Sequence, residues 1–367
     1  MTKEERTTAL TNLKAGIDSL EKKTFNVYFF VMDTKGNPSG ELTYIYQTAR
    51  QLHDMGYNVT MLHQEKNFVG VGDWLGEKYA ALPHMYIEKQ NIALGVGDFL
   101  FIPEIYANVM SQVKKAPAKK IAILHNLDYL TSTIPIGVTW NDMNFNDAIT
   151  STDVNKRLLN TYFPVVKTRV VSPAVPDFFK PQDKPQKLMI NLLCRETTDC
   201  DKIIKTFYWK YPVYQWVSFR DIRGIPYKEL SEVLADGAIT IWVDDKTDFG
   251  YTLLQALKSK TVVLAKTPNT FTDWMVQDNE LIDGPIWFTN YNELPDMIAS
   301  VVRTWTLDNM PKEVYESEEK FADWYTEDDQ RQDIIREYVD GLFKDRKIEL
   351  EKAYDMFLKK NNEETAE

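Results

Sequence analysis

The stretch AITIWVDDKTDFGYTLLQALKSKTVVLAK, residues 238–266, decides the fold class of this chain. It opens with an apolar, β-rich run, passes through a polar loop at 244–250, and closes with a second apolar run at 261–265. Between loop and second run, the apolar residues of 251–259 fall on one side of a helix. Strand, loop, helix and strand in such a short span predict a βαβ unit, whose two strands must be parallel.

The same unit predicts where a ligand binds. In open parallel sheets, ligands bind outside the carboxyl ends of the strands. This rule points to the loop 244–250 and to the first turn of the helix that follows it. Free N–H groups and the helix dipole favour a phosphate at such a turn, so the sequence predicts a phosphate-bearing ligand.

The stretch also resembles the nucleotide-sugar loop of the GT-B glycosyltransferases, in particular the retaining family-4-type enzymes, whose pattern is roughly E-G-F-G-x-x-x-x-E-A-x-x-x-x-x-V-V. The matching residues are Phe249, Gly250, Leu254, Ala256, Val262 and Val263. Thr247 and Gln255 stand where the family has glutamates that contact the sugar and the ribose. The resemblance implies that Thr247 or its neighbour Asp248 binds the sugar and that Gln255 binds the ribose. The loop residues expected to lie against the donor are Phe249, Gly250 and Tyr251.

Two polar features of this stretch have a second interpretation. Thr252 and Gln255 have the spacing of a capping box, in which both side chains satisfy backbone donors at a helix start. Capping and ribose binding are equally favoured for Gln255, and they do not exclude each other. Asp244 and Asp245 form a pair that could suggest a metal motif, but an exposed loop pair is the better interpretation, and the resemblance implies no metal.

Composition and charge exclude several classes of protein. The 367 residues are 44% apolar and 13% aromatic, which is enough for two packed domains. A net charge of −11 argues against a non-specific nucleic-acid surface. Cys194 and Cys200 match no zinc or redox spacing, so two free thiols in a reducing compartment are expected. No apolar run has the length of a membrane span and no signal peptide is evident, which predicts a cytoplasmic protein.

The first half of the chain begins in the manner of a Rossmann fold. A buried strand at 25–32 leads into a turn-rich loop and then a helix, but G-x-G-x-x-G is absent, so no nicotinamide or flavin cofactor is expected. Ser39 and Gly40 in that loop resemble the small-residue loop that GT-B enzymes place after their first strand. The resemblance implies that this backbone approaches the donor phosphate or the acceptor, while an ordinary turn is the alternative.

Apolar runs predict further strands at 120–124, 147–150, 187–194 and 214–219. Candidate residues follow two of them. His125 comes directly after the apolar run 120–124, at the edge where parallel strands deliver side chains to a cleft. Related transferases carry a histidine there that contacts the transferred sugar, although a purely structural histidine is equally favoured. Arg195 follows the strand 187–194, and Lys202 lies seven residues further on. The family binds the donor diphosphate with an arginine and a lysine in this region, which makes Lys202 the expected partner; a solvated helix residue is the alternative.

The predicted architecture is α/β with the GT-B arrangement, in which two Rossmann-like domains face each other across a cleft and C-terminal helices cross back to the first domain. The expected segments are an N-terminal helix at 1–22, an acceptor domain at 23–172, a linker at 173–186, a donor domain at 187–325 and returning helices at 326–367.

The leading hypothesis is a retaining, metal-independent glycosyltransferase that uses a nucleotide-diphosphate sugar as substrate, with no cofactor, and a carbohydrate, lipid-linked or other hydroxyl acceptor. The loss of both family glutamates favours a second hypothesis, a non-catalytic partner or chaperone of an active transferase. A third, a transferase acting on modified DNA bases, is disfavoured by the acidic charge.

Overall fold

Two parallel β-sheets organise the chain. The computed structural model describes residues 2–88, 92–182, 186–244, 246–247, 249–277, 279–282, 284–308 and 328–365. Within these ranges, a seven-stranded sheet lies before residue 173 and a five-stranded sheet lies after residue 186. The predicted α/β class with two Rossmann-like sheets is confirmed.

The first sheet has the strand order β3-β2-β1-β4-β5-β6-β7, and every pair in it is parallel. Its strands are β1 Asn26–Phe30, β2 Asn58–His63, β3 His84–Tyr86, β4 Phe99–Pro103, β5 Lys119–Leu124, β6 Asp147–Thr150 and β7 Lys167–Val170. The central strands are buried along almost their whole length, as expected where helices cover both faces of a parallel sheet.

The second sheet has the order β14-β11-β10-β8-β9 and is also parallel. Its strands are β8 Lys187–Cys194, β9 Ser218–Asp221, β10 Gly237–Val243, β11 Val262–Lys266 and β14 Ile286–Phe288, while β12 Val276–Gln277 and β13 Glu280–Leu281 form a separate antiparallel pair. Strand β10 pairs with β11 from Ile239 opposite Val262 onward. The βαβ unit predicted at 238–266 is therefore confirmed.

Helices connect the strands and cover both sheets. They are α1 Lys3–Glu21, α2 Gly40–Asp54, α3 Glu77–Ala80, α4 Ala107–Gln112, α5 Leu127–Thr133, α6 Asp153–Tyr162, α7 Thr197–Lys210, α8 Tyr227–Asp236, α9 Tyr251–Lys258, α10 Leu294–Asp308 and α11 Asp328–Thr365. Within the described ranges, no helix combines the length and the apolar character needed to cross a bilayer.

The last helix packs on the first sheet's side of the molecule. Phe343 lies in edge contact with Phe25, at a ring-centroid distance of 4.5 Å, and with Tyr57 at 5.0 Å. Arg346 donates to the carbonyl oxygens of Val96 and Pro117 at 2.8–3.1 Å. The predicted return of the C-terminal helices to the first domain is confirmed for α11.

One predicted strand needs correction, and one short strand was not predicted. The strand predicted at 214–219 begins at Ser218 instead, because Tyr211 and Tyr214 pack around Phe207 of α7 rather than extending in a sheet. The short strand β3 has no counterpart in the sequence analysis. Where it is described, the predicted linker 173–186 packs into the protein, since Ala174, Val175 and Phe179 are buried.

Candidate active site

A cleft lies between the two sheets, at the carboxyl ends of their strands. Its main cavity measures about 320 Å³, within the range of small-ligand pockets. A second hollow of about 250 Å³ shares the Pro38–Gly40 loop, Arg195, Asp244 and Thr252 with the main cavity, so the two are parts of one cleft. Both sheets contribute side chains, as the GT-B arrangement requires.

Most of the residues proposed from the sequence line this cleft. Those at the main cavity are Ser39, Gly40, His125, Arg195, Thr247, Phe249 and Tyr251. They come from loops and helix starts at the ends of β1, β5, β8 and β10, which are far apart in sequence. The carboxyl-end rule therefore located the cleft correctly, and the roles of these side chains stay predictions.

His125 is held by a buried carboxylate. Its Nδ1 lies 3.0 Å from Oε2 of Glu104, which is fully buried at the end of β4. The other oxygen, Oε1, accepts hydrogen bonds from the backbone N–H groups of His125 and Asn126 at 3.0 and 2.9 Å. Burial opposes the charged ring, but the charge and hydrogen bond of Glu104 outweigh it and raise the pKa of His125 above its usual value.

The other ring nitrogen of His125 is buried beside the backbone of Glu41. Among the described residues, Nε2 has no hydrogen-bond partner of standard geometry, and the ring lines the cavity. The carbonyl group of Glu41 lies close enough to favour the protonated ring. Glu104 thus fixes the orientation of the imidazole through Nδ1, and the ring as a whole forms part of the cavity wall.

Arg195 connects the two sides of the cleft. Its backbone N–H donates to Val243 at 2.8 Å, which fixes the residue at the end of β8. Its guanidinium donates to the Asp244 carboxylate at 3.2 and 3.4 Å and to the Tyr129 hydroxyl at 3.2 Å. Burial raises the pKa of Asp244, and the positive charge of Arg195 limits that rise. Burial opposes the charge of Arg195, but Asp244 and Tyr129 outweigh it and raise the pKa of Arg195.

The loop before α9 is shaped by backbone requirements. Gly250 has φ +74°, a conformation that side chains disfavour, and a Cβ atom there would lie 2.3 Å from Cε of Met275. The hydroxyl of Thr247 accepts from the Gly250 N–H at 2.9 Å. The indole of Trp274 donates to the Phe249 carbonyl at 2.7 Å. Thr247 thus holds the turn closed with the oxygen that was predicted to contact the sugar.

Two proposed residues do not line the main cavity, and a third is not described. Lys202 is exposed on α7 with its Nζ 4.0 Å from the Tyr291 ring centroid, and it does not belong to the lining of either part of the cleft. Gln255 is fully buried behind the cavity wall. Its amide opposes the rise that burial causes in the pKa of Tyr227 and Tyr251. Among the described residues, its Nε2 and Oε1 have no hydrogen bond of standard geometry. Asp248 lies outside the described residues.

The predicted capping box at Thr252 and Gln255 is wrong. Helix α9 begins at Tyr251 with Gly250 as its N-cap, and no side chain caps it. The hydroxyl of Thr252 instead accepts from the Trp242 indole at 3.0 Å. The glycine conformation of the loop moves the helix start ahead of Thr252, so the spacing of Thr252 and Gln255 carries no capping function.

Among the residues that the sequence analysis missed are Glu41, Tyr129 and Arg223, which line the cleft, and Glu104, which holds His125. Glu104 follows β4 directly, so the carboxyl-end rule that selected His125 would also have selected it. Arg223 follows β9 in the same way and donates to Thr197 at 2.8 Å and to Asp221 at 2.9 Å. In the part of the chain that the structure describes, no three His, Cys, Asp or Glu side chains group to hold a metal.

The sequence is distantly similar to that of a known glucosyltransferase. No protein-family model matches the chain. The chain is 22% identical over 245 residues to the α-1,6-glucosyltransferase of Actinobacillus pleuropneumoniae serotype 7 (strain AP76), which covers 65% of this chain and 71% of that protein.

Two solved structures have the same architecture. The pneumococcal O-GlcNAc transferase GtfA, in complex with UDP and GlcNAc, aligns with a TM-score of 0.60 and 8% identity over 88% of this chain and 99% of that chain. An α-glucosyltransferase in complex with UDP and a 13-mer DNA containing an HMU base aligns with a TM-score of 0.56 and 12% identity, over 85% and 99% of the two chains. The protein therefore has the GT-B fold of glycosyltransferases.

Proposed function

We propose that the protein is a retaining, metal-independent glycosyltransferase that transfers a hexosyl group from a UDP-sugar to a hydroxyl acceptor. The observation that carries the proposal is the position of Arg195, whose guanidinium lies in an interdomain cavity with His125. The fold and the names of the similar proteins support UDP as the nucleotide and glucose or GlcNAc as the sugar. The buried free thiols Cys194 and Cys200 fit a cytoplasmic enzyme.

The chemistry of transfer matches the charges of the cleft. When the glycosidic bond breaks, the leaving diphosphate gains negative charge, which fixed cations stabilise. Arg195 lines both parts of the cleft and Arg223 lines the second part. We assign diphosphate binding to these two arginines, since Lys202 contacts Tyr291 instead.

His125 would act on the sugar from the opposite side. Its ring lines the cavity, and the Glu104 carboxylate stabilises the protonated form of that ring. A positively charged ring in the cavity wall stabilises the negative charge that develops on the leaving group. The buried amide of Gln255 would bind the ribose only if donor binding opened the wall formed by Tyr227 and Tyr251.

The test is the binding of UDP and UDP-sugars, measured by calorimetry and thermal shift. UDP should stabilise the protein, and Arg195→Ala should weaken UDP binding about 10- to 100-fold, because charge-assisted hydrogen bonds contribute about 1.5–3 kcal/mol. Lys202→Ala is the matched control, an exposed cation of the same domain, and should leave the affinity unchanged within about twofold. Failure of UDP, UDP-glucose and UDP-GlcNAc to bind the unmodified protein would refute the proposal.

A sugar-nucleotide-binding partner without transfer activity is the second candidate. The observation that favours it is that neither Thr247 nor Gln255 presents a carboxylate to the cavity, since Thr247 closes the loop and Gln255 is buried. Both candidates predict UDP binding. Release of UDP from UDP-glucose or UDP-GlcNAc by the purified chain, with or without added sugar acceptors, identifies the transferase; binding with no turnover identifies the partner.

A further inference from the structure

Carboxylates are scarce in the described lining of the main cavity, where only Glu41 and Asp244 occur. The Asp244 carboxylate accepts hydrogen bonds from Arg195 at 3.2 and 3.4 Å and from the Lys246 N–H at 3.3 Å. The Asp244 carboxylate is therefore already paired with the Arg195 guanidinium. This leaves Glu41, on the opposite side of the cleft, as the carboxylate that can accept a ligand's hydroxyl groups.

Glu41 lies in the first turn of α2, directly after the loop that follows β1. Its Oε2 accepts a hydrogen bond from the Ser39 hydroxyl at 2.7 Å, and that hydroxyl accepts from the Leu42 N–H at 3.2 Å. The side chain is thereby fixed at the helix start, where the dipole stabilises its charge. No hydrogen bond from a described residue reaches the other oxygen, Oε1.

The charge of Glu41 acts on groups from both sides of the cleft. It contributes to raising the pKa of His125 and Tyr129 on the first side and of Tyr227 and Asp244 on the second side. These four groups come from separate loops and helix starts that converge only in the folded protein. Glu41 therefore lies in the cleft itself rather than on an outer surface.

The opposite charges of Glu41 and Arg195 favour different parts of a ligand. The carboxylate of Glu41 repels a diphosphate, whereas the Arg195 guanidinium attracts one. A carboxylate accepts hydrogen bonds from neighbouring hydroxyl groups, which a hexose presents in abundance. A UDP-sugar placed with its diphosphate against Arg195 would therefore direct its hexose away from that cation, toward Glu41 and His125.

We propose that Glu41 is a sugar-binding residue that accepts hydrogen bonds from the hydroxyl groups of the transferred hexose. The proposal rests on the proposed function, because it requires a UDP-sugar in the cleft. Glu41 supplies from the first domain the carboxylate that Thr247 and Gln255 do not supply from the second. It thereby selects for the sugar, while Arg195 selects for the diphosphate.

The test separates binding of the nucleotide from binding of the sugar. Calorimetry gives the dissociation constants of UDP and UDP-glucose, and an assay of UDP release gives kcat and KM. For Glu41→Gln, the affinity for UDP should stay within about twofold, and kcat/KM for UDP-glucose should fall about 10- to 100-fold, as expected for lost charge-assisted hydrogen bonds. Any gain in affinity that the glucose adds to UDP should be reduced.

Two further variants control for folding and position. Glu41→Asp keeps the charge one methylene away and should retain more activity than Glu41→Gln. Glu229→Gln removes an exposed carboxylate of α8 and should match the unmodified chain. Thermal unfolding confirms that each variant is folded.

The outcomes distinguish this proposal from the proposed function. Normal turnover and an unchanged contribution of glucose in Glu41→Gln, in a protein that binds UDP, would overturn only the role of Glu41. An equal loss of UDP and UDP-glucose affinity would show that Glu41 shapes the whole cleft and would also overturn it. Absence of UDP binding by the unmodified chain would remove both proposals.

Discussion

At the scale of single residues, the ionisation of His125 depends on one buried neighbour. Glu104 faces the ring through Oε2, and burial alone would favour the neutral ring. Glu104→Gln keeps the shape of the side chain and removes its charge. The pKa of His125, followed by NMR titration of the ring, is therefore expected to fall in this variant, and an unchanged titration would show that Glu104 does not control the charge.

The same contact makes stability depend on pH. A histidine whose pKa is higher in the folded than in the unfolded state stabilises the fold below its unfolded pKa of about 6.5, and this stabilisation is lost as the pH rises through the folded value. The difference in free energy of unfolding between the unmodified protein and Glu104→Gln should therefore be larger at about pH 6 than at about pH 9. Urea denaturation at both pH values measures the difference, and an equal difference would contradict it.

At the scale of one element, the start of α9 depends on Gly250. A left-handed conformation costs a residue with a side chain about 1–2 kcal/mol, and the Met275 side chain must also move away. We expect Gly250→Ala to lower the free energy of unfolding by about 2 kcal/mol and to weaken UDP binding, because Tyr251 and Thr252 line the cleft.

Gly341 provides the control for this change. It lies inside α11, where a Cβ atom would meet no heavy atom within 4 Å, and its φ is not in the left-handed region. Gly341→Ala should therefore stabilise the protein, by about 0.5–1 kcal/mol, because alanine is the better helix former. Urea denaturation of both variants checks the opposite signs; loss of stability at Gly341 as large as at Gly250 would rule out the conformational explanation.

Elements were predictable where local pattern and tertiary structure agree. The strands 147–150 and 187–194 match β6 and β8, since apolar runs between polar turns form buried strands in this fold. The prediction of a strand at 214–219 failed in its first four residues because the β propensity of the aromatic residues is overridden by packing on Phe207. The three residues of β3 are too short to show a period.

The site was predictable to the extent that the ends of parallel strands determine it. His125 and Arg195 were identified because each directly follows an apolar strand. The direction of Lys202 depends on where α7 begins, and the boundary of a helix is poorly determined by sequence. Glu41 and Tyr129 belong to the cleft only because two domains converge there, which no local pattern records.

At the scale of the whole molecule, α2 links the cleft to both domains and to the returning helix. Its first turn carries Glu41, and the hydroxyl of Thr43 lies 2.9 Å from that of Tyr227 in the second domain. Gln47 donates to the carbonyl of Ala174, in the crossing segment, at 2.8 Å. Arg331 of α11 contacts the far half of the same helix. The position of the site's first-domain side therefore depends on how α11 is held.

Arg331 makes the contacts that hold α11 against the first domain. Its fully buried guanidinium donates to the Thr48 hydroxyl at 2.7 Å, to the Ser172 carbonyl at 2.9 Å and to the Gln51 side chain. Arg331→Met keeps an aliphatic chain but leaves these acceptors unpaired. We expect it to lower the free energy of unfolding by about 3 kcal/mol, since a buried group left unpaired costs about 1–3 kcal/mol and removal of the buried charge offsets part of the loss.

The exposed Arg336 of the same helix, paired with Asp333 at 2.9 Å, is the matched control. Arg336→Met should change the free energy of unfolding by no more than about 0.5 kcal/mol. Hydrogen exchange adds a positional readout, because release of α11 should speed amide exchange in α2 before it does so in the second sheet. Uniform acceleration throughout the chain would instead show that Arg331 contributes only to global stability, and that α2 is held in place by its own packing on the first sheet.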